Sequence, residues 1–221
     1  MKVALLAHSL VSADEPELHQ RARTLAGDRK IVRLLEQETY APFVVALEAI
    51  DALPNFERDR AAILTAGEHE QEVGRLPAEL FVDDAPTESI VDFYKGSDPA
   101  AFLRDMPNAC HCMISIARKL RGPSLHFVGG GEAAAYALIM AVESLADGAA
   151  SNALVVGYSR PGDSSELSSD AVAVVLAAAP SNGGESLVEI DLPAPVELRE
   201  RRAVDIMRDV IRAHVGTPPA G

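Results

Sequence analysis

Short apolar runs alternate with charged stretches along most of the chain, and two kinds of spacing recur within them. Residues 2–7 (KVALLA) form a mostly apolar run with polar neighbours, the pattern of a strand buried on both faces. Residues 12–38 are charged and irregular. Phe43, Val44, Leu47, Ile50 and Leu53 then repeat at three- and four-residue intervals after Pro42, which predicts a helix. A second strand over 60–65 (RAAILT) ends at Ala66-Gly67, the charged stretch 69–75 reads as a loop, and polar 83–98 reads as an exposed excursion. Helical spacing returns over 99–106 and over 109–120, the latter with Met113, Ile114, Ile116, Ala117 and Leu120 on one face and Gly122-Pro123 as its stop. Residues 124–128 (SLHFV) are β-prone, three glycines turn the chain, and 133–146 is rich in Ala, Leu, Ile and Met, a helix with little polar surface. Three more strands, 153–158, 171–176 and 186–190, are separated by turn-rich loops. Val196, Ala203, Val204, Ile206, Met207, Val210 and Ile211 mark a C-terminal amphipathic helix.

Composition narrows the function classes. The chain has 221 residues, 48% hydrophobic and 24% charged, which suits one large domain, or a domain with an appended arm, and not a disordered or disulfide-stapled chain. Acidic residues number 33 against 20 basic ones, for a formal charge of −13. Nucleic-acid binding rests on lysine and arginine neutralising phosphates, so a nucleic-acid partner is not expected. Cys110 and Cys112 are one residue apart, too close to bridge easily, and fit a reducing cytoplasm. The apolar run at the start stops at His8, short of the roughly 7–15 residues of a signal-peptide core. The longest apolar stretch, 133–145, contains Glu143 and is well below the ~20 residues a bilayer demands, so no membrane span is expected.

The segment 106–178 is specific. It carries Met-Pro-Asn before a helix, Ile-Ser-Ile followed by a basic pair and Gly-Pro-Ser, a strand, a buried helix, a strand ending in glycine, and then SSDAVAVVLA. In order and spacing these pieces resemble the first half of a β-ketoacyl synthase of the thiolase superfamily. The resemblance implies an α/β chain with a thiolase-like half fold: a mixed five-stranded sheet with a central buried helix, plus the C-terminal amphipathic helix. The expected boundaries are 1–192 for the ketosynthase-like domain and 193–221 for the C-terminal helix and tail. Active members place the nucleophilic cysteine where the strand meets the buried helix, and counting on from Gly122-Pro123-Ser124 that position falls on Gly131. Glycine has no side chain and cannot form the acyl thioester of covalent catalysis. Glu132 beside it, near a helix N-terminus, should be a stable anion and a poor nucleophile.

The family fold is a duplicated unit whose second half supplies two catalytic histidines, or a histidine and an asparagine, and the sequence matches the first half plus one helix. The resemblance therefore implies a partner subunit without catalytic residues, similar in role to the chain-length factors of type II polyketide and aryl-polyene pathways, although those commonly carry glutamine where Gly131 stands. Such a subunit pairs with an active ketosynthase, as a heterodimer or heterotetramer, and shapes its acyl tunnel. Gly130, Gly131 and Glu132 would then line the acyl site. In the family the strand here spanning Ser124, Leu125, His126, Phe127 and Val128 pairs with its counterpart across a two-fold axis and would be the interface. Arg199, Arg201 and Arg202, the concentrated positive stretch of an acidic chain, are candidates for binding an acidic acyl carrier protein, against the plainer reading of a solvated helix face.

Other constellations are weaker. Cys110-His111-Cys112 has metal-ligand residue types, but consecutive helical side chains point about 100° apart and converge poorly, so neither metal nor cofactor is expected. Gly129-Gly130-Gly131-Glu132 lacks the Lys-Ser/Thr of a P-loop. No G-x-S-x-G elbow is present, and His8, His69, His126 and His214 have no motif partners. A rival reading is a homodimeric thiolase-fold enzyme that acts on an acyl thioester without cysteine, for example by hydrolysis using Glu132 or His126.

Overall fold

The computed structural model describes residues 2–67, 106, 108–159, 169–178, 187–190 and 194–215. The expected helix over 99–106 apart from its last residue, the stretches 69–75 and 83–98, and most of the loop SRPGDSSELSS lie outside the described residues.

Six strands form one sheet: β1 (Lys2–Val11), β2 (Ala61–Gly67), β3 (Ser124–Val128), β4 (Asn152–Ser159), β5 (Asp170–Ala178) and β6 (Leu187–Glu189). Their spatial order is β3-β2-β4-β5-β1-β6. The first five make the expected mixed sheet, and three-residue β6 extends it at the β1 edge. β2 runs parallel to β3 and β4, while β5 is antiparallel to both β4 and β1, so β1 to β4 all point the same way. Their carboxyl ends, Val11, Gly67, Val128 and Ser159, therefore share one edge of the sheet, where ligands bind in open α/β folds.

Helices cover both faces, which is why β2 and β4 are buried at every position and read as unbroken apolar runs. Side-chain parity sorts the core. Ala62, Leu64 and Ala66 face one layer, built from α5 (Gly131–Ala146) and α6 (Ala203–Val215); Ile63 faces the other, built from α1 (Leu18–Ala26), α2 (Arg29–Val32), α3 (Tyr40–Asp51) and α4 (Ala109–Arg118). α5 is the central buried helix: Ala133, Ala134, Ala135, Ala137 and Ala141 let it press close to the sheet, and α6 packs beside it. α6 sits tightly over β4, where a Cβ on Gly157 would lie 2.6 Å from Met207 Cγ.

Residues 12–38 correct the sequence reading, because two helices stand where an irregular stretch was expected. α1 buries only Leu18, Ala22 and Ala26, one residue per turn, so its apolar stripe is narrow among charged neighbours. Gly27, in the left-handed conformation, ends α1, and Asp28 caps α2 by accepting from the Lys30 N–H at 2.8 Å. β1 runs four residues past its expected end: after a register shift between Leu5 and Ala7, partly exposed 8–10 and buried Val11 keep pairing with β5.

Candidate functional site

The turn from β3 into α5 is built from glycine and closed by the C-terminal segment. Gly129 has φ 139° and donates its N–H to Gly67 O at 2.9 Å. Gly131, the first residue of α5, donates its N–H to Arg201 O at 2.5 Å. A Cβ added at Gly131 would lie 2.5 Å from Leu198 O and 2.9 Å from Arg201 O. The N–H groups opening a helix attract anions, but this one already serves a backbone carbonyl 70 residues away. Position 131 thus has neither a side chain nor room for one. Glu132 beside it accepts from Arg199 Nε at 3.2 Å.

The C-terminal arginines are largely engaged by acids of the same chain. Arg201 pairs with Asp209 at 2.7 Å, Arg208 with Asp205 at 3.5 Å and Arg212 with Asp209 at 3.1 Å. Arg202 bonds Asp170 at 2.7 Å and also reaches Ser159 O at 3.4 Å, so it fastens the start of α6 to β4 and β5. Asp170 further accepts the Ala13 N–H at 2.9 Å and the Ser12 hydroxyl at 3.4 Å. Burial pushes the Asp170 carboxyl up, but the Arg202 bond, the Ala13 N–H and the charges of Arg202 and Arg208 outweigh it and hold the group below the usual carboxylate value. Arg199 is the most open of the three predicted contact residues, with two-thirds of its side chain exposed.

A polar chain crosses the opposite face under β3. Thr65 Oγ1 lies 3.0 Å from His111 Nδ1 and 2.7 Å from His126 Nδ1, and His111 Nε2 lies 2.5 Å from Ser124 Oγ. The Thr65 hydroxyl has one proton, so it donates to one Nδ1 and accepts from the other, and the two imidazoles hold complementary tautomers. Burial, then the nearby His126, lowers the His111 pKa to about 4, so its ring is neutral at pH 7. Sequence reasoning left His126 without partners and weighed His111 only as a metal ligand. The contacts come from residues 46 and 61 positions away from Thr65, and no motif announces them. Cys110 points elsewhere, its Sγ donating to Thr39 O at 3.6 Å, and burial raises its pKa and that of Cys112. His126 and Glu132 sit on different faces of the sheet and do not share a site.

Among the described residues β3 lies at one end of the sheet and pairs with β2 alone. Ser124 is exposed, Leu125 is 40% and Val128 59% exposed, and Tyr136 of α5 is 44% exposed. Phe127 packs on the core of its own chain, its ring stacked on Tyr136 with centroids 6.4 Å apart. Of the residues named as site candidates, Gly130, Gly131 and Glu132 meet Arg199 and Arg201 at one corner, while Ser124 to Val128 line the open edge.

The sequence matches no protein-family model and no curated protein. Solved structures do match. A type II polyketide synthase ketosynthase in complex with its acyl-carrier protein, AntDE:AntF, aligns over 80% of this chain and 62% of its own, with 14% identity and a TM-score of 0.57. The ishigamide ketosynthase/chain length factor aligns over 82% and 63%, at 14% identity and TM-score 0.51. A ketosynthase in complex with its chain length factor from Xenorhabdus doucetiae aligns over 82% and 81%, at 15% identity and TM-score 0.51. The chain thus spans about three-fifths of the first of these. At such identities the likeness establishes architecture alone, and the architecture is the thiolase-like α/β half fold of a ketosynthase.

Proposed function

We propose that this chain is a non-catalytic ketosynthase-like subunit that pairs with an active ketosynthase, in the manner of a chain-length factor, and assembles through β3. The observation that carries the reading is position 131. The strand-to-helix corner that would present a nucleophile holds glycine, and the carbonyls of Leu198 and Arg201 fill the space in front of it. Thioester chemistry by a ketosynthase route has no side chain to start from. Support for pairing comes from the β3 edge, whose outer side no described strand pairs with and which is flanked by exposed Leu125, Val128 and Tyr136. Two of the similar structures are themselves ketosynthases with chain length factors.

Contact with an acyl carrier protein falls to Arg199 and Arg201, since Arg202 is committed to Asp170 and Ser159. Arg199→Glu with Arg201→Glu should weaken carrier binding and flatten its salt dependence. The test of inertness is intact-mass spectrometry after incubation with acyl carrier protein thioesters and with a cysteine-directed ketosynthase trap. The expected outcome is an unmodified chain, and a stoichiometric acyl adduct overturns the reading.

A further inference from the structure

On the side of the molecule built from α1 to α3, a groove enclosing about 590 Å³ collects positive charge. His19 and Arg23 lie one turn apart on α1, and Arg29 and Arg33 lie one turn apart on α2 and its C-cap. The Gly27 turn between the two helices brings these four side chains to one concavity. Val32 and Leu35, each 4% exposed, lie along its lining, Tyr40 meets His19 edge-on at 5.2 Å, and Glu36 is the carboxylate in its wall. The volume is in the range of small-molecule sites.

Among the described residues most arginines outside this groove are held by carboxylates, Arg58 and Arg60 excepted. Arg21, two residues from Arg23, pairs with Glu15 and Glu48; Arg118 pairs with Asp51, Arg202 with Asp170 and Arg212 with Asp209. Among the described residues no carboxylate lies within ion-pair distance of Arg23 or Arg29. Two guanidiniums without a carboxylate partner among the described residues thus stand beside a third and an imidazole, with Glu36 in the same wall. Clustered like charges repel, and a bound dianion relieves that repulsion while taking the paired N–H donors that guanidinium presents.

We infer that this groove binds a phosphorylated small molecule, its phosphate held by Arg23, Arg29 and Arg33 and its organic part resting on Tyr40 and the Val32–Leu35 lining. A planar or apolar body suits that lining, and Glu36 offers an acceptor for a hydroxyl or amine. The site lies on the helix layer opposite α5, does not involve Gly131, and stands independently of the subunit reading.

The probes are phenyl phosphate and inorganic phosphate, titrated calorimetrically into the full chain, with potassium chloride at matched ionic strength as the blank. Phenyl phosphate is expected to bind saturably at one site, more tightly than inorganic phosphate. Arg23→Ala with Arg29→Ala should weaken it by about tenfold or more, since two charge-assisted contacts are lost. Arg29→Ala alone, at an exposed position, serves if the double variant misfolds, and Arg212→Ala should leave binding unchanged. Absence of saturable binding, equal binding by the Arg29→Ala variant, or a response reproduced by potassium chloride overturns the proposal.

Discussion

Two residues are defined by what surrounds them. Any side chain at Gly131 must displace the carbonyls of Leu198 and Arg201, which belong to the backbone and cannot swing aside. Gly131→Ala is therefore expected to destabilise the chain by about 1–3 kcal/mol, the usual cost of overpacking, whereas Glu132→Ala next to it should cost little. Urea unfolding of the two variants decides it: equal midpoints would mean that the C-terminal segment does not press on Gly131. His111 sets the second expectation. Its folded pKa of about 4 lies below the ordinary value of 6.5, so between those limits the unfolded chain binds the extra proton. Stability is thus expected to fall as pH drops from about 6.5 toward 4 and to lose nothing further through this group below that. Asp170 acts in the same direction further down: its depressed carboxyl stabilises the fold above the usual value of 3.8, and that contribution is lost as pH falls through its lowered folded pKa. Urea midpoints at pH 7.5 and 4.5 should differ less in His111→Gln than in the parent, and an unaltered difference would place the titrating group elsewhere.

Elements are joined by a few polar fasteners over an apolar core. Arg118, at the end of α4, bonds both carboxylate oxygens of Asp51 at 2.8 and 2.5 Å and the carbonyl of Leu25 at 3.1 Å, tying α4 to α3 and α1 with one guanidinium. Arg118→Met leaves Asp51 half exposed and free to hydrate, so the expected loss is about 1–3 kcal/mol, below that of breaking a fully buried pair; no change in thermal midpoint would mean the helices hold without it. The long strands and α3, α5 and α6 were legible in the sequence, because Val, Leu and Ala runs such as those of β4 and β5 have only one way to be covered on both faces. α1 and α2 were not, since three buried residues in one helix and two in the other do not stand out among charged neighbours. The Thr65–His111–His126 chain and the carbonyl of Arg201 over Gly131 were equally hidden: each depends on tertiary placement of residues dozens of positions apart. The glycine at 131 could be read, but the reason nothing else fits there could not.

At the scale of the whole molecule, helices close both faces of the sheet, nothing among the described residues covers the outer edge of β3, and in the proposed assembly that edge is the seam. Phe127 is a poor probe of it, because the ring belongs to the core of its own chain, where a charge would harm folding directly. Leu125 and Val128 are the better probes, being exposed beside the free edge. Leu125→Asp with Val128→Asp should leave the circular dichroism spectrum native and, if the edge is an interface, place two charges in a desolvated seam at a cost of several kcal/mol, enough to dissociate a micromolar complex. The central claim is that this chain works as the inert half of a ketosynthase pair. Its most direct test is purification of a tagged chain from its native host at physiological salt, with the mass of the complex measured by light scattering and its members identified by mass spectrometry. The account predicts a near-stoichiometric ketosynthase in the complex, lost with the double aspartate variant, and no acyl group on the chain itself. A chain that elutes alone and monomeric, or one that carries the acyl group, would contradict it.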